Sequence, residues 1–116
     1  MRRTLLKSKI HRAVVTASDL HYEGSLGLDE ALIDAADLVP YEKVHVYNVS
    51  NGARFSTYIL KEARGSGKVA IYGAAAHKAR PDDLLIIAAY AQFEESEIRG
   101  WSPKVVLLDS QNRIKG

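Results

Sequence analysis

Short β-prone segments, each followed by a turn signal, recur along this chain and limit the folds it can adopt. The clearest case is Lys43–Val49, whose residues alternate as they do in a half-buried strand. Asn51 and Gly52 follow it, and both tolerate positive φ, which favours a hairpin with Ala53–Leu60 as the return strand. Six or seven such strands, with one or two short helices, predict a mainly β fold and a small β-barrel.

The other predicted elements are shorter or less regular. A helix is predicted over Asp29–Ala36, where acidic residues come first and apolar residues recur at helical spacing. His21–Gly27 contains two glycines and a serine, so it is predicted to be an irregular loop. The remaining predictions are strands at Thr4–Ile10 and Arg12–Ala17 (a pair or one bent strand), Val69–Tyr72, Leu84–Ala91 and Lys104–Asp109, a tight small-residue segment at Gly73–Ala76, and a helical turn at Glu94–Arg99.

The composition is that of one globular domain over residues 1–116, with 47% hydrophobic and 26% charged residues. Cysteine is absent, and Lys7 and Lys9 interrupt the apolar stretch that a signal peptide needs, so we expect a cytoplasmic protein. The longest apolar run, Leu84–Ala91, is far shorter than the roughly 20 residues of a membrane span. A net charge of +2 gives little reason to expect nucleic acid, and the four histidines lack metal-site spacing.

Gly24-Ser25 has the residue types that self-cleavage of a backbone requires. A serine hydroxyl can attack the carbonyl of the preceding residue in an N→O acyl shift, which produces an ester. A glycine before it eases this close approach, because glycine has no Cβ. β-Elimination from the ester, followed by hydrolysis, would leave a pyruvoyl group at residue 25. On the residues alone, an ordinary Gly-Ser turn is the more common explanation.

Four motifs carry a family resemblance along nearly the whole chain. They are the stretch Lys9–Ser25 (KIHRAVVTASDLHYEGS), Asn51–Tyr58 (NGARFSTY), the loop Arg64–Gly67 (RGSG) and Gly73–His77 (GAAAH). In this order and at this spacing, they resemble the bacterial aspartate 1-decarboxylases, which are self-cleaving, pyruvoyl-dependent enzymes. Any one motif taken alone would carry little weight.

The resemblance implies a double-psi β-barrel that cleaves itself into residues 1–24 and 25–116. It implies a homotetramer with active sites between subunits, a role in pantothenate biosynthesis, and decarboxylation of L-aspartate at its α-carboxylate to β-alanine and CO2. The cofactor would be the pyruvoyl group made from Ser25, whose ketone condenses with the substrate amine as a Schiff base. Neither a metal nor pyridoxal phosphate is then expected. The family also leaves room for a maturation factor that assists cleavage.

The resemblance assigns roles to residues beyond Gly24 and Ser25. Arg54 would bind a substrate carboxylate as a bidentate fork, with Lys9 adding positive charge, and Tyr58 would return a proton to the substrate carbon. Thr57 would assist cleavage and contact the substrate. The segment Gly73, Ala74 and Ala75 would offer its backbone to the substrate. Without the resemblance, Arg54 and Lys9 are ordinary surface charges, Tyr58 is a strand tyrosine, and Gly73–Ala75 is tight packing.

The spacing of these residues along the predicted strand sets a geometric condition. Arg54 and Tyr58 are four residues apart, hence on one face and about 13 Å apart along a regular strand. Thr57 would lie on the opposite face. Thr57 and Tyr58 could both serve one subunit's site only if the strand bulges or lies at a barrel rim. Otherwise one of the two residues would face a neighbouring subunit's site.

Tyr72 departs from the family pattern, which usually has asparagine before the glycine of the GAAAH motif. Tyrosine keeps a hydrogen-bond donor but is larger and lacks the amide geometry. We therefore expect cleavage or turnover to be altered here rather than abolished. A Tyr72→Asn variant that matched the parent in both would contradict this expectation.

Two other interpretations remain open at the level of sequence. One is a non-enzymatic β-barrel that binds DNA through its basic N-terminus, which contains Arg2, Arg3, Lys7, Lys9 and Arg12. The combination of Gly24-Ser25 with Arg54 and Tyr58 has no purpose in such a protein. The other is a member of the decarboxylase family that remains an uncut, inactive proenzyme.

Overall fold

The computed structural model describes residues 1–115, and its strands belong to a single sheet. The strands and helices, in chain order, are β1 (Arg2–Val14), β2 (Ala17–Asp19), β3 (Ser25–Asp29), α1 (Glu30–Ala35), β4 (Lys43–Asn48), β5 (Arg54–Glu62), β6 (Val69–Tyr72), a 3-10 helix (Gly73–His77), β7 (Leu84–Glu94), α2 (Glu95–Ile98) and β8 (Lys104–Leu107).

The sheet is strongly curved, because its two ends are joined by a very short piece of chain. The strand order is β2-β6-β3-β5-β4-β7-β1-β8, so β1 and β2 lie near opposite ends of it. Only Val15 and Thr16 connect these two strands, and the Thr16 N–H donates to the Val69 carbonyl at the start of β6 over 2.8 Å. The ends must therefore approach each other. This confirms the prediction of a mainly β fold of the small-barrel type.

The core fills the inside of this curved sheet with aliphatic side chains from nearly every strand. In β4, the alternation predicted from sequence is confirmed, since Val44, Val46 and Asn48 are all buried. Asn48 is the polar member, and its amide nitrogen donates to the Lys78 carbonyl and to Asp83 Oδ2, both over 2.9 Å. Its hydrogen bonds are therefore satisfied within the fold.

The loop predicted at His21–Gly27 is wrong over its last three residues, which begin strand β3. Leu26 and Leu28 are fully buried, and β3 lies between two partners, parallel to β5 and antiparallel to β6. Backbone pairing on both sides overrides the weak strand preference of a segment with glycines. Together with the short β2, this brings the number of strands to eight, one or two more than predicted.

Two turn predictions are refined. The hairpin between β4 and β5 is confirmed, but only Gly52 has positive φ (79°), and the Asn48 N–H donates to the Ala53 carbonyl, so the loop has four residues instead of two. The segments predicted at Thr4–Ile10 and Arg12–Ala17 form one bent strand as far as Val14. Its register shifts between His11 and Ala13, where Arg12 adopts a φ of 68°.

The RGSG loop is held by the buried carboxylate of Asp29, the residue that caps α1. Asp29 accepts the backbone N–H groups of Ala31, Gly65 and Gly67 over 2.8–2.9 Å. Burial pushes the pKa of this carboxyl up, but the three backbone donors and the nearby Arg64 charge outweigh it, so the pKa lies below its usual value. The loop is therefore anchored to the start of the helix by an ionised side chain.

We expect Asp29→Asn to lower the free energy of unfolding by about 2 kcal/mol at neutral pH, because an amide NH2 would face the Gly67 N–H. A carboxyl with a depressed folded pKa stabilises the fold above its unfolded pKa of about 4. That stability is lost as pH falls through the folded pKa. Urea unfolding of the parent and of Asp29→Asn should therefore show a difference in the free energy of unfolding that becomes smaller below about pH 4. Asp34→Asn, which removes an exposed ion pair with Arg64, is the control and should lower the free energy of unfolding by less than about 1 kcal/mol. An equal Asp29→Asn penalty at pH 3 and pH 7 would contradict the anchor.

Candidate active site

Ser25 is the first residue of β3, and its side chain is fully buried. Its backbone pairs with Tyr72, the last residue of β6. Its Oγ has no hydrogen-bond partner among residues 1–115. A buried hydroxyl without a partner lowers the stability of the fold. The Ser25 hydroxyl is therefore a nucleophile that is not engaged in a hydrogen bond within the described residues.

Gly73 packs directly against the backbone of Gly24. A Cβ at residue 73 would lie 2.6 Å from Gly24 Cα, 2.7 Å from Gly24 N and 3.0 Å from the Tyr22 carbonyl oxygen. Gly73 also has a φ of 72°, which side chains disfavour. The peptide bond between Gly24 and Ser25 is therefore held against β6 by a contact that only glycine permits.

Ala74 and Ala75 continue from Gly73 in the 3-10 helix. Ala74 is exposed, whereas Ala75 is partly buried and packs against the core. Of the three residues of this segment, Gly73 contacts the backbone of Gly24, and Ala74 and Ala75 follow it in the chain. Tight packing explains Gly73 on its own, while Ala74 is accessible to a ligand.

Strand β5 runs beside β3 and carries Tyr58 next to Ser25. Leu26 pairs with Ile59, and both point into the core, so the residues before them, Ser25 and Tyr58, point to the outer face. Pairing between β4 and β5 is regular from Arg54 to Tyr58, without a bulge. Thr57 therefore lies on the opposite face from Tyr58, as alternation predicts.

Arg54 lies at the far end of β5, on the same outer face as Tyr58. Its guanidinium carbon is 4.2 Å from the ring centroid of Tyr47, a cation–π contact. The Tyr47 hydroxyl in turn shares a hydrogen bond of 2.8 Å with the Tyr90 hydroxyl. That hydrogen bond, with burial second, raises the pKa of Tyr90. Arg54 lines an open cavity with His45, Tyr47 and two neighbours on its own strand, Phe55 and Ser56.

Lys9 occupies β1, several strands away from Ser25. Register pairs join Lys9 to Ala88, Ala88 to His45, and His45 to Ser56, so these residues form one row across four strands. Three strand spacings separate Lys9 from Ser56, roughly 14 Å along the sheet. Lys9 lies between the buried Ser8 and Ile10, so its side chain points to the outer face, as those of Arg54 and Tyr58 do.

The structure thus divides the predicted residues into two groups. Gly24, Ser25, Tyr58, Tyr72 and Gly73 lie together around the start of β3, and Ala74, Ala75 and Thr57 adjoin them. Arg54 and Lys9 lie on the same outer face but away from this cluster. A complete site formed by one copy of the chain would have to bridge that separation.

Three residues near Ser25 carried no signal in the sequence. The Tyr22 ring lies against the Tyr72 ring, with centroids 4.7 Å apart. The Tyr72 hydroxyl donates to Glu62 Oε2 over 2.9 Å, and Lys68 Nζ lies 3.4 Å from Glu62 Oε1. Burial first, and the Glu62 carboxylate second, raise the pKa of Tyr72, which therefore stays protonated at neutral pH. These contacts join β5 to β6 and depend on pairing between strands.

Three of the five basic residues in the N-terminal segment form ion pairs. Arg2 Nε lies 2.9 Å from Glu94, Arg3 Nε 2.7 Å from Glu95, and Lys7 Nζ 2.8 Å from Glu42. Cations paired in this way have less charge to offer a phosphate backbone, which weakens the DNA-binding interpretation.

Within residues 1–115, no group of three or more His, Asp or Glu side chains is arranged to hold a metal ion. Across the same residues, every helix is too short or too polar to pass through a membrane.

Comparison with known proteins confirms the resemblance carried by the four motifs. The family described as aspartate decarboxylase matches residues 1–115. Aspartate 1-decarboxylase of Syntrophus aciditrophicus is 56% identical over 99% of this chain and 99% of its own length. The enzyme of the same name from Ralstonia pickettii is also 56% identical, over 99% of this chain and 96% of its own. That of Chromobacterium violaceum is 52% identical, over 98% and 90%. The prediction that the chain is an enzyme is likewise confirmed.

Proposed function

Because the chain belongs to the aspartate decarboxylase family, we propose that it cleaves itself between Gly24 and Ser25 and then decarboxylates L-aspartate to β-alanine and CO2. The buried, unpartnered Ser25 Oγ, on a peptide bond packed against Gly73, carries this proposal. The family name alone would not say which residue reacts. This Oγ belongs to the residue that follows the Gly24 carbonyl, and no hydrogen bond to the described residues holds it elsewhere.

The surroundings of Ser25 fit a residue that becomes a pyruvoyl group. Ser25 Oγ attacks the Gly24 carbonyl, the C–N bond between them breaks, and an ester forms with a free amine at residue 25. Loss of the Ser25 α-proton then breaks the Cβ–Oγ bond and releases residues 1–24 with a carboxylate. The elimination leaves a dehydroalanine at residue 25, whose imine form is hydrolysed by one water. Ammonia is released and a ketone remains. Gly73 permits this chemistry, since a side chain there would displace the Gly24 backbone and with it the carbonyl that Ser25 Oγ attacks.

In turnover, the pyruvoyl group would act as the electron acceptor that pyridoxal phosphate provides in other decarboxylases. Arg54 binds and orients a carboxylate of the substrate through its guanidinium fork, and the Tyr47 ring beneath holds that fork in place. Lys9 adds positive charge on the same face. Tyr58, whose side chain is 36% exposed, holds the proton on its hydroxyl that is returned to the substrate carbon. Because Thr57 lies on the other face of β5 and the strand has no bulge there, Thr57 assists cleavage from the barrel rim or at a neighbouring subunit's site. The backbone of Gly73–Ala75 contacts the substrate.

The separation of Arg54 and Lys9 from Ser25 supports a site completed by a second copy of the chain. Exposed aliphatic and aromatic side chains, among them Tyr41, Tyr90, Val105 and Leu107, give the outer face an apolar character suited to such contacts. We propose a homotetramer in the cytoplasm, in which neighbouring subunits bring these residues together.

Intact mass, combined with an assay for β-alanine, tests the proposal. We expect two species, residues 1–24 and residues 25–116, the second lighter by one ammonia than a fragment that begins with serine. Aspartate should release CO2 only in preparations that contain the cleaved form. A single full-length mass together with no CO2 release would contradict the proposal and favour the uncut proenzyme.

Arg54→Lys should separate turnover from maturation. Lysine keeps the charge but loses the bidentate fork and the stacking on Tyr47, so we expect the Michaelis constant for aspartate to rise by about tenfold or more. Cleavage should be complete, because Arg54 lies four residues from Tyr58 along β5 and away from Ser25. Steady-state kinetics and intact mass measure the two effects. Arg99→Lys, another exposed arginine, is the control and should change neither. Incomplete cleavage in Arg54→Lys would contradict this division.

A further inference from the structure

Glu62 covers the outer face of β3 at Gly27, two residues after Ser25. Strand alternation places Ser25 and Gly27 on that face, since Leu26 and Leu28 point into the core. A Cβ at residue 27 would overlap the Glu62 carboxylate. Glu62 therefore occupies the space that glycine leaves open at position 27, two residues after the peptide bond to be cut.

Tyr72 connects this carboxylate to Ser25. Tyr72 is the register partner of Ser25 in an antiparallel pair, so the two side chains share one face. Its hydroxyl reaches Glu62 over Gly27, which means that its side chain lies along β3 from Ser25 towards Gly27. Its ring also contacts the ring of Tyr22, in the segment just before the cleavage site.

Lys68, the residue just before β6, completes the arrangement. Its Nζ lies 3.4 Å from the Glu62 oxygen that Tyr72 does not use, so each carboxylate oxygen has its own partner. The Glu62 charge is also the main reason that the pKa of Lys68 is raised. The carboxylate is thus fixed from two sides, and the Tyr72 ring is fixed with it.

We infer that Glu62 is a positioning residue for self-cleavage, which holds the side chain of Tyr72, the cross-strand neighbour of Ser25, against Tyr22 while Ser25 Oγ attacks the Gly24 carbonyl. This inference rests on the proposed function. Its physical basis is that a serine hydroxyl can rotate among three staggered positions, and that a fixed neighbour reduces the time spent in unproductive ones. Glu62 itself touches no reacting atom and acts through Tyr72.

Cleavage of freshly synthesised full-length chain, followed by intact mass over time, tests the inference. Glu62→Met keeps the bulk over Gly27 but removes the acceptor, and Tyr72→Phe removes only the donor oxygen. We expect each single change to slow cleavage about tenfold. The double variant should also be about tenfold slower, rather than about a hundredfold, because the two changes remove the same hydrogen bond. Glu62→Gln keeps an acceptor and should be within about threefold of the parent chain.

Glu95→Met is the matched control, since Glu95 also pairs with a basic side chain but lies in α2. Melting temperatures in a Ser25→Ala background, where no cut can form, separate folding effects from effects on cleavage. Should Glu62→Met fail to fold, Tyr72→Phe, which deletes a single oxygen, decides the matter. Cleavage of Tyr72→Phe at the parent rate, additive effects in the double variant, or Glu62→Gln as slow as Glu62→Met would each overturn the inference. A parent chain that never cleaves would instead refute the proposed function.

Discussion

Ser25→Ala should remain a single full-length chain and form no β-alanine above the uncatalysed background, because it lacks the oxygen that starts cleavage. The same change should raise the free energy of unfolding by about 1 kcal/mol relative to freshly refolded, uncut parent chain. The reason is that the Ser25 hydroxyl is buried without a partner, so its removal relieves a cost instead of breaking a contact. Intact mass, a β-alanine assay and urea unfolding measure the three effects.

Ser8 provides an unusually close control for this prediction. It is also a buried serine in a strand, and its Oγ likewise has no partner among the described residues. Ser8→Ala should therefore raise stability by a similar amount, about 1 kcal/mol, while cleavage and activity stay at parent levels. Fragments or β-alanine from Ser25→Ala would contradict the assignment of Ser25.

Gly73→Ala should reduce the rate of cleavage by about a hundredfold or more, because the new Cβ would displace the Gly24 backbone from its position beside Ser25. It should also lower the free energy of unfolding by about 3 kcal/mol, from overpacking and from the positive φ. The time course of intact mass and urea unfolding measure the two effects.

Gly52→Ala isolates the cost of the backbone angle. Gly52 has a φ of 79°, close to that of Gly73, but nothing lies within 4 Å of the position its Cβ would take. We expect Gly52→Ala to lower the free energy of unfolding by about 1 kcal/mol and to cleave at the parent rate. If both glycine variants cleaved equally fast, the close contact of Gly73 with Gly24 would have no part in maturation.

Sequence patterns predicted those parts of the fold that depend on local preference. The alternation in β4 and the turn at Gly52 are properties of consecutive residues, and both are found in the structure. Strand β3 was missed, because its extended form comes from partners on both sides, β5 and β6, that lie more than 30 and 40 residues away in sequence. No pattern within Ser25–Asp29 reports that pairing.

The candidate site shows the same limit. Residue types at Gly24 and Ser25 permit cleavage, and the family motifs point to them, but neither indicates that Ser25 Oγ is buried and unpartnered. Tyr72 was recognisable as a departure from the family pattern. Its partner Glu62 was not, since the contact depends on the missing side chain of Gly27 in a different strand.

The route of β1 through the sheet has a consequence for the mature protein. Fragment 1–24 would contain all of β1, which pairs with β7 from Arg2 to Val14 and with β8 from Ser8 to His11. Once the covalent link at Gly24 is broken, these backbone hydrogen bonds and the shared core hold the two pieces together. Maturation would then turn a single chain into a two-chain complex of the same shape, whose unfolding depends on concentration because the pieces are no longer tethered.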